Sequence, residues 1–235
     1  MIKNPFWLSY VPTLAMVIML TMFASLAGSR AITVFSENNT TDNRHCIVID
    51  AGHGGEDGGA TSCTGVLESS FNLEFALRLE PLFRFLGYPT KMVRRTDTAI
   101  HTQGDTIAAR KASDLNARVR LANETENGVL LSIHQNYFNE SKYSGAQVFY
   151  AKTEGSIELA KLLQSKIRET VNPGSNRKEK MASGVYLMDH ISCPAVLIEC
   201  GFLSNPDEEA NLRSVQYQKK MCCVIASAVM NYFAS

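Results

Sequence analysis

The sequence lacks the marks of several protein classes. Its 23 Lys and Arg residues balance 23 Asp and Glu residues, so no net positive charge attracts nucleic acid, and no nucleic-acid partner is expected. Only 7 residues are proline and 45% are hydrophobic, which is not the composition of a disordered chain. None of the six cysteines forms a C-x-x-C pair, so a zinc knuckle or a thioredoxin-like redox site is excluded. A folded domain of about 200 residues is the natural expectation for such a chain.

Charge is also missing from one end of the chain. Residues 4–29 contain no charged side chain, and residues 6–27 form an apolar run of 22. As a helix this run would be roughly 33 Å long, which is enough to span a bilayer. We therefore predict that residues 1–30 are a membrane anchor, with a signal sequence cleaved after Ala27 as the alternative.

The rest of the chain divides into a tether and a domain. Residues 31–44 are polar and show no periodicity, so a linker is expected there. Residues 45–235 then alternate strand-like apolar runs with helix-like spacing, which predicts a single α/β domain. Its central sheet is expected to be mostly parallel, with helices on both faces. The predicted strands are Cys46–Asp50, Lys91–Arg94, Val129–Ile133, Gln147–Tyr150 and Ala195–Glu199.

The first predicted helix contains a proline. Apolar residues recur at three- and four-residue spacing from Phe71 to Leu86, and Gly87 follows as a C-terminal cap. Pro81 lies within this helix, and a proline inside a helix costs about 3 kcal/mol. We therefore expect a kink or a restart at Pro81.

Residues capable of chemistry collect where the predicted strands end, the usual place for a site in an open α/β sheet. The first strand runs into a glycine-rich turn that carries His53, Glu68 begins the next helix, and the third strand ends near His134. A phosphate cradle is the competing interpretation of the turn, but the Gly-Lys-Ser/Thr ending of a P-loop is missing. Two His and one Glu are a ligand set of catalytic Zn²⁺. On residue type and spacing alone, a zinc site and separate structural roles both remain open.

Four further residues are candidates for the same site. Glu199 ends the last predicted strand, where a carboxylate could act as general base toward a hydrolytic water. Asp50 is expected either to hold His53 in one tautomer or to cap the glycine-rich turn. Arg95 could contact an anionic substrate or close a turn through an ion pair. Asn136, two residues beyond His134, is the second candidate for substrate binding.

These motifs, in this order, resemble a known family. From about Cys46 to Phe233 the chain is similar to the zinc-dependent N-acetylmuramoyl-L-alanine amidases of bacterial cell walls, of the amidase-3 type. The resemblance is carried by Ile49–Gly55 with Gly59 and Ala60, by Glu68, by Arg95–Asp97, by Arg118 and Val119 with Ala122 and Asn123, by Ser132–Asn136 and by Leu197–Asn205. It departs from the family pattern at Ala51, usually proline, and at Cys200, usually aliphatic.

The resemblance implies a reaction and roles for site residues. His53, Glu68 and His134 would bind zinc, and Glu199 would be the catalytic carboxylate in a catalytic domain over residues 45–235. The bond hydrolysed would be the amide between the lactyl group of N-acetylmuramic acid and L-alanine. Two alternatives are a zinc carboxypeptidase acting on wall peptides and a non-catalytic, zinc-containing protein that binds the wall.

The chain is most similar in architecture to the sporulation and germination type of this family. That type implies peptidoglycan of the spore cortex as substrate, removal of stem peptides as a step toward muramic-δ-lactam, and an extracytoplasmic location. Some family members carry an inhibitory helix after the second His ligand, but here only 10 residues, Gln135–Ser144, separate His134 from Gly145. We therefore expect an open site that is regulated by expression timing, by zinc occupancy, or by a separate extracytoplasmic accessory protein that activates or positions the enzyme.

Overall fold

The structure is a computed structural model that describes residues 44–235. Six strands are present: β1 (Cys46–Ala51), β2 (Thr90–Met92), β3 (Gly128–Asn136), β4 (Gln147–Tyr150), β5 (Lys180–Met181) and β6 (Ala195–Phe202). Six helices accompany them: α1 (Glu68–Phe85), α2 (Ile107–Asn123), α3 (Ser156–Thr170), α4 (Tyr186–His190), α5 (Pro206–Arg213) and α6 (Val215–Ala234).

The predicted anchor over residues 1–30 lies outside the described residues, as does the predicted linker apart from Arg44. Across residues 44–235, no helix combines the length and the apolar character that a membrane span requires.

The strands form one six-stranded sheet in the order β2-β1-β3-β6-β4-β5. The neighbours β2, β1, β3 and β6 run parallel, as predicted. β4 runs antiparallel to β6, and β5 follows the direction of β4, so the sheet is mixed. The reason lies in the connection from β3 to β4, since residues 137–146 contain no helix and a parallel crossover needs about a dozen residues or more.

One face of the sheet is covered by α1, α3 and α6. Their buried side chains pack against alternate residues of the strands in a large apolar core that includes Ile49, Phe75, Leu79, Phe83, Leu131, Leu163, Ile198 and Ile225. α1 runs through Pro81 without the predicted restart. Burial of Phe75, Leu79 and Phe83 at roughly 1.5–3 kcal/mol each outweighs the cost of one proline.

The other face is covered by α2 and α4, over a smaller core that includes Val48, Leu130 and Leu197. Toward the carboxyl ends of the strands this face becomes polar. Paired residues share a face of the sheet, and the register pairs Asp50 with Ser132, His134 with Glu199, and Glu199 with Gln147. The catalytic candidates of the sequence therefore meet on one face, at one end of the sheet.

Candidate metal centre

Three side chains from separate segments converge beside the polar residues at the carboxyl ends of the strands. His53 lies in the turn after β1, Glu68 is the first residue of α1, and His134 lies near the end of β3. His53 Nε2 is 3.2 Å from Glu68 Oε2, and His134 Nδ1 is 2.9 Å from Glu68 Oε1. One potential ligand atom from each residue lies within 4.8 Å of the other two. The structure thus brings together the three residues that the sequence singled out as metal ligands.

Two glycines of the turn make this convergence possible. A Cβ atom at Gly52 would lie 2.2 Å from the ring of His134. A Cβ atom at Gly59 would lie 2.6 Å from Glu68 Oε2 and 2.7 Å from His53 Cδ2, and the backbone there has a φ of 68°. Such contacts exclude any larger residue, and positive φ favours glycine. The glycine-rich turn therefore forms a wall of the His-Glu-His cluster and not a phosphate cradle.

Glu68 is held by hydrogen bonds that keep it ionised. Its Oε2 accepts from the N–H of Ala60 at 3.0 Å, and its Oε1 accepts from the N–H of Gln135 at 3.2 Å and from Asn72 Nδ2 at 3.3 Å. Burial raises the pKa of Glu68, but hydrogen bonds with His134 and His53 lower that pKa well below its usual range. Glu68 is therefore an oriented anion, as a metal ligand has to be.

Asp57 is the carboxylate that orients His53. Its Oδ2 lies 3.1 Å from His53 Nδ1 and 3.1 Å from Lys111 Nζ. Burial raises the pKa of Asp57, but its hydrogen bond with His53 and the nearby charges lower that pKa to about 2. A carboxylate on the second ring nitrogen fixes the tautomer of a metal-binding histidine. Asp57 is part of the glycine-rich turn, but its residue type and position alone did not mark it as a partner of His53.

Asp50 has a different partner from the one proposed for it. It is 1% exposed, forms an ion pair with Arg118 and accepts a hydrogen bond from Ser132 Oγ at 2.7 Å. The prediction that Asp50 holds His53 is therefore wrong, and the alternative that Asp50 stabilises the glycine-rich turn agrees better with these contacts. Arg118 also donates to the carbonyl oxygens of Ala51 at 3.0 Å and His53 at 2.7 Å, so Asp50 fixes the turn through Arg118.

Arg94, and not Arg95, reaches the glycine-rich turn. Its Nη2 donates to the carbonyl oxygens of Gly52 at 2.9 Å and Ser69 at 2.8 Å, which ties the turn to the start of α1. Arg95 forms an ion pair with Glu80 of α1, which is the ion-pair alternative given for it above. Arg95 does not line the cavity beside the His-Glu-His cluster. A buried arginine next to an exposed one could not be distinguished by sequence alone.

Glu199 is unlike the other carboxylates of the site. It pairs in register with His134, and its Oε2 is buried without a hydrogen-bond partner among the described residues. Burial raises the pKa of Glu199 to about 7, against the opposing charge of His134. A carboxylate with a free oxygen and a pKa near neutrality suits proton transfer.

The cluster opens onto a cavity of about 300 Å³. Its lining includes His53, His134, Lys111, Leu115 and Tyr186. The segment 137–146, where an inhibitory helix would have been inserted, contains no helix. Asn136 ends β3 at this edge of the sheet and is partly exposed. Among residues 44–235, the cluster therefore adjoins an open cavity, and no helix follows β3 before β4.

The donor set fits zinc. Two imidazole nitrogens and one carboxylate oxygen are a common three-ligand set for catalytic zinc, which keeps a further position open. Gly52 and Gly59 leave space for the three ligands. The Oε2 atom of Glu199 makes no hydrogen bond among the described residues, so this carboxylate oxygen is not used to hold the structure together.

Comparison with known proteins agrees with this geometry. Residues 47–231 match the Amidase_3 family of N-acetylmuramoyl-L-alanine amidases, and the chain belongs to that family. It is thus an N-acetylmuramoyl-L-alanine amidase, as its motifs predicted.

Individual relatives and solved structures show which members of this family the chain is similar to. The chain is 39% identical over 189 residues to the germination-specific N-acetylmuramoyl-L-alanine amidase of Bacillus subtilis, covering 80% of this chain and 79% of that protein. It is 27% identical to the B. subtilis amidase LytC, covering 80% of this chain and 35% of LytC. Among solved structures, it matches the CwlD amidase from Clostridioides difficile in complex with the GerS lipoprotein. That match has a TM-score of 0.78 and 33% identity, over 81% of this chain and 99% of CwlD.

Proposed function

We propose that this amidase is zinc-dependent and removes stem peptides from the peptidoglycan of the spore cortex, as a step toward muramic-δ-lactam. The bond cleaved is the amide between the lactyl group of N-acetylmuramic acid and L-alanine. The proposed catalysis rests on the position of Glu199. This residue is paired with His134 on the neighbouring strand, and its Oε2 has no hydrogen-bond partner among the described residues.

The two glutamates of the site then have different roles. His53, Glu68 and His134 would hold zinc, which when bound supplies a Lewis acid and lowers the pKa of a water. Glu199 accepts a proton from the attacking water and passes it to the amine of the leaving L-alanine. Glu68 is unsuited to that task because its oxygens accept from Ala60, Asn72 and Gln135 and its pKa is strongly lowered.

The cellular role is supported by the relatives. The B. subtilis relative is named germination-specific, and the C. difficile CwlD amidase is in complex with a lipoprotein. For this chain we propose an extracytoplasmic location facing the wall or cortex, and an accessory protein that activates or positions the domain. We also propose a membrane anchor or signal sequence over residues 1–30, a linker over 31–44 and a catalytic domain over 45–235.

Mass spectrometry of muropeptides tests this function. The zinc-loaded full chain is incubated with purified cortex peptidoglycan and, in parallel, with vegetative peptidoglycan. We expect glycan fragments with a free lactyl carboxylate and stem peptides with a new L-alanine amine, with cortex cleaved faster. Release of terminal D-alanine alone would indicate the carboxypeptidase. Binding without any product would indicate a non-catalytic wall protein.

A further inference from the structure

A second cavity lies on the other side of Glu199 from the His-Glu-His cluster. It has a volume of about 800 Å³ and lies between the start of β4 and the loop 172–178. Three cationic side chains line it, Arg177, Lys178 and Lys180, against one carboxylate, Glu208. We call it the cationic cavity. Its charge contrasts with the formal net charge of zero of the whole chain.

The polar residues at the carboxyl ends of the strands continue to the edge of this cavity. Gln147 is 1% exposed, lines the cationic cavity, and is paired in register with Glu199. Residues paired across antiparallel strands have Cα atoms about 5 Å apart and lie on the same face of the sheet. The cavity therefore begins one strand away from the proposed general base, on the face that carries the chemistry.

Arg177 is held rigidly at this place. Its Nε donates to the carbonyl oxygen of Ser144 at 2.8 Å, and its Nη1 donates to Gln147 Oε1 at 2.9 Å. Its guanidinium carbon lies 4.8 Å from the centre of the Phe202 ring. Within residues 44–235, Nη2 makes no hydrogen bond. A guanidinium fixed on two sides loses little further conformational entropy when it binds an anion.

The carboxylate of Glu208 offsets only part of this positive charge. Its two oxygens accept the backbone N–H groups of Gly145 at 2.8 Å and Phe202 at 2.9 Å. It thus ties the start of β4 to the end of β6 and forms part of the wall. Lys178 and Lys180 are exposed and pair with no carboxylate within the described residues. With three cationic side chains against one carboxylate, the cationic cavity therefore keeps an excess of positive charge among residues 44–235.

We propose that the cationic cavity binds a free carboxylate of the stem peptide, with Arg177 as the residue that determines this specificity. The proposal rests on the proposed function. In peptidoglycan the second stem residue is a glutamate linked through its side chain, so its α-carboxylate is free one residue beyond the cleaved bond. Two extended residues span about 7 Å, and the one strand spacing between Glu199 and Gln147 is about 5 Å, so this carboxylate reaches the edge of the cavity when the scissile amide lies beside Glu199.

Two synthetic muropeptides test the proposal. They share the glycan and the L-alanine and differ only in whether the second-residue α-carboxylate is free or amidated. For the zinc-loaded full chain we expect kcat/KM to be about tenfold to a hundredfold higher for the free acid, from a charge-assisted hydrogen bond. Arg177→Gln should remove this preference, mainly through a higher KM for the acid. Arg120→Gln, an exposed arginine in the last turn of α2, is the matched control and should change neither substrate.

A binding measurement separates failure of this proposal from failure of the proposed function. Two stem peptides, one with a free and one with an amidated second-residue α-carboxylate, are titrated calorimetrically into the wild-type chain and into Arg177→Gln. Thermal melting first shows that both proteins are folded. We expect weaker binding of the amidated peptide to wild type, and loss of that difference in Arg177→Gln. Equal cleavage and equal binding of both peptides by wild type would overturn the role of the cationic cavity while leaving the amidase function intact. Cleavage of neither muropeptide, together with selective binding of the acid peptide, would overturn the function and not the cavity.

Discussion

The two faces of the sheet differ in what they do. The face under α1, α3 and α6 is apolar along almost its whole length. The face under α2 and α4 is apolar where the strands begin and polar where they end. Alternation along single strands produces this division: in β3, Leu131 and Ile133 point to the first face, and Ser132 and His134 to the second. One sheet therefore carries packing on one side and chemistry on the other.

Glu68 connects the two faces. α1 packs on the apolar face, but its first residue reaches the cluster at the end of the sheet. Asn72, one turn further along α1, donates both to Glu68 and to the carbonyl oxygen of Gly52. The position of this ligand therefore depends on how α1 packs.

The largest expected effect is on the polar face. Glu199→Gln is nearly isosteric, so it should keep the fold while removing the proton acceptor, which is worth about 10²–10⁴ in rate. Steady-state cleavage of a muropeptide and a thermal melt measure the two quantities together. A variant that retains more than a tenth of the wild-type rate would show that another group is the base.

Substitution of one apolar side chain on each face by alanine tests how much each face contributes to stability. Phe75 is fully buried on the apolar face, so Phe75→Ala should lower the free energy of unfolding by about 3–5 kcal/mol. Leu115 is half-buried and lines the cavity beside the cluster, so Leu115→Ala should cost about 1 kcal/mol. Urea denaturation of both variants gives the values. Equal losses would mean that the polar face contributes as much packing as the apolar one.

A further prediction concerns Asp57, which contacts the metal-ligand candidate His53. Asp57→Asn should weaken zinc binding by about tenfold to a hundredfold, because the carboxylate that orients His53 is lost. Glu56→Gln is the matched control, since Glu56 pairs with Arg110 and not with His53. Zinc affinity measured by competition with a chelator distinguishes the two variants. Equal affinities would remove Asp57 from the metal centre.

The pH dependence of zinc binding should shift in the same variant. Burial lowers the pKa of His53, but Glu68 and Asp57 raise it above its ordinary value overall. Protons therefore compete with zinc for His53 at a higher pH than for an ordinary imidazole. Without the charge of Asp57 that pKa falls, so the zinc affinity of Asp57→Asn, although weaker at neutral pH, should begin to decline at a lower pH than the wild-type affinity does. Chelator competition over a range of pH measures both curves, and a decline that begins at the same or a higher pH in the variant would contradict this electrostatic explanation.

Much of the fold and the cluster could be predicted from sequence because each rested on a local signal. Apolar runs placed five of the six strands, and Glu68 followed a glycine-rich turn at the start of a helical pattern. The direction of β4 was not predicted, although the short, helix-free connection from β3 carried the information. β5 and α4 span only 2 and 5 residues, too few for a periodic pattern.

The supporting contacts could not be predicted, because they join residues far apart in the chain. Arg118 lies 68 positions from its partner Asp50, and its helix shows no sign of a buried charge. Arg94 and Arg95 are neighbours in the sequence, yet one is buried against the turn and the other pairs with Glu80. Burial in the folded chain, and not residue type, decides between them.

The most direct test of the account is zinc stoichiometry, measured by mass spectrometry of metals on three proteins purified in parallel. We expect one zinc per chain in wild type and in Glu199→Gln, and little zinc in His134→Ala. His134→Ala should still unfold cooperatively, because the metal is not the main support of the core. Stoichiometric zinc in His134→Ala, or loss of zinc in Glu199→Gln, would contradict the division into three ligands and one base.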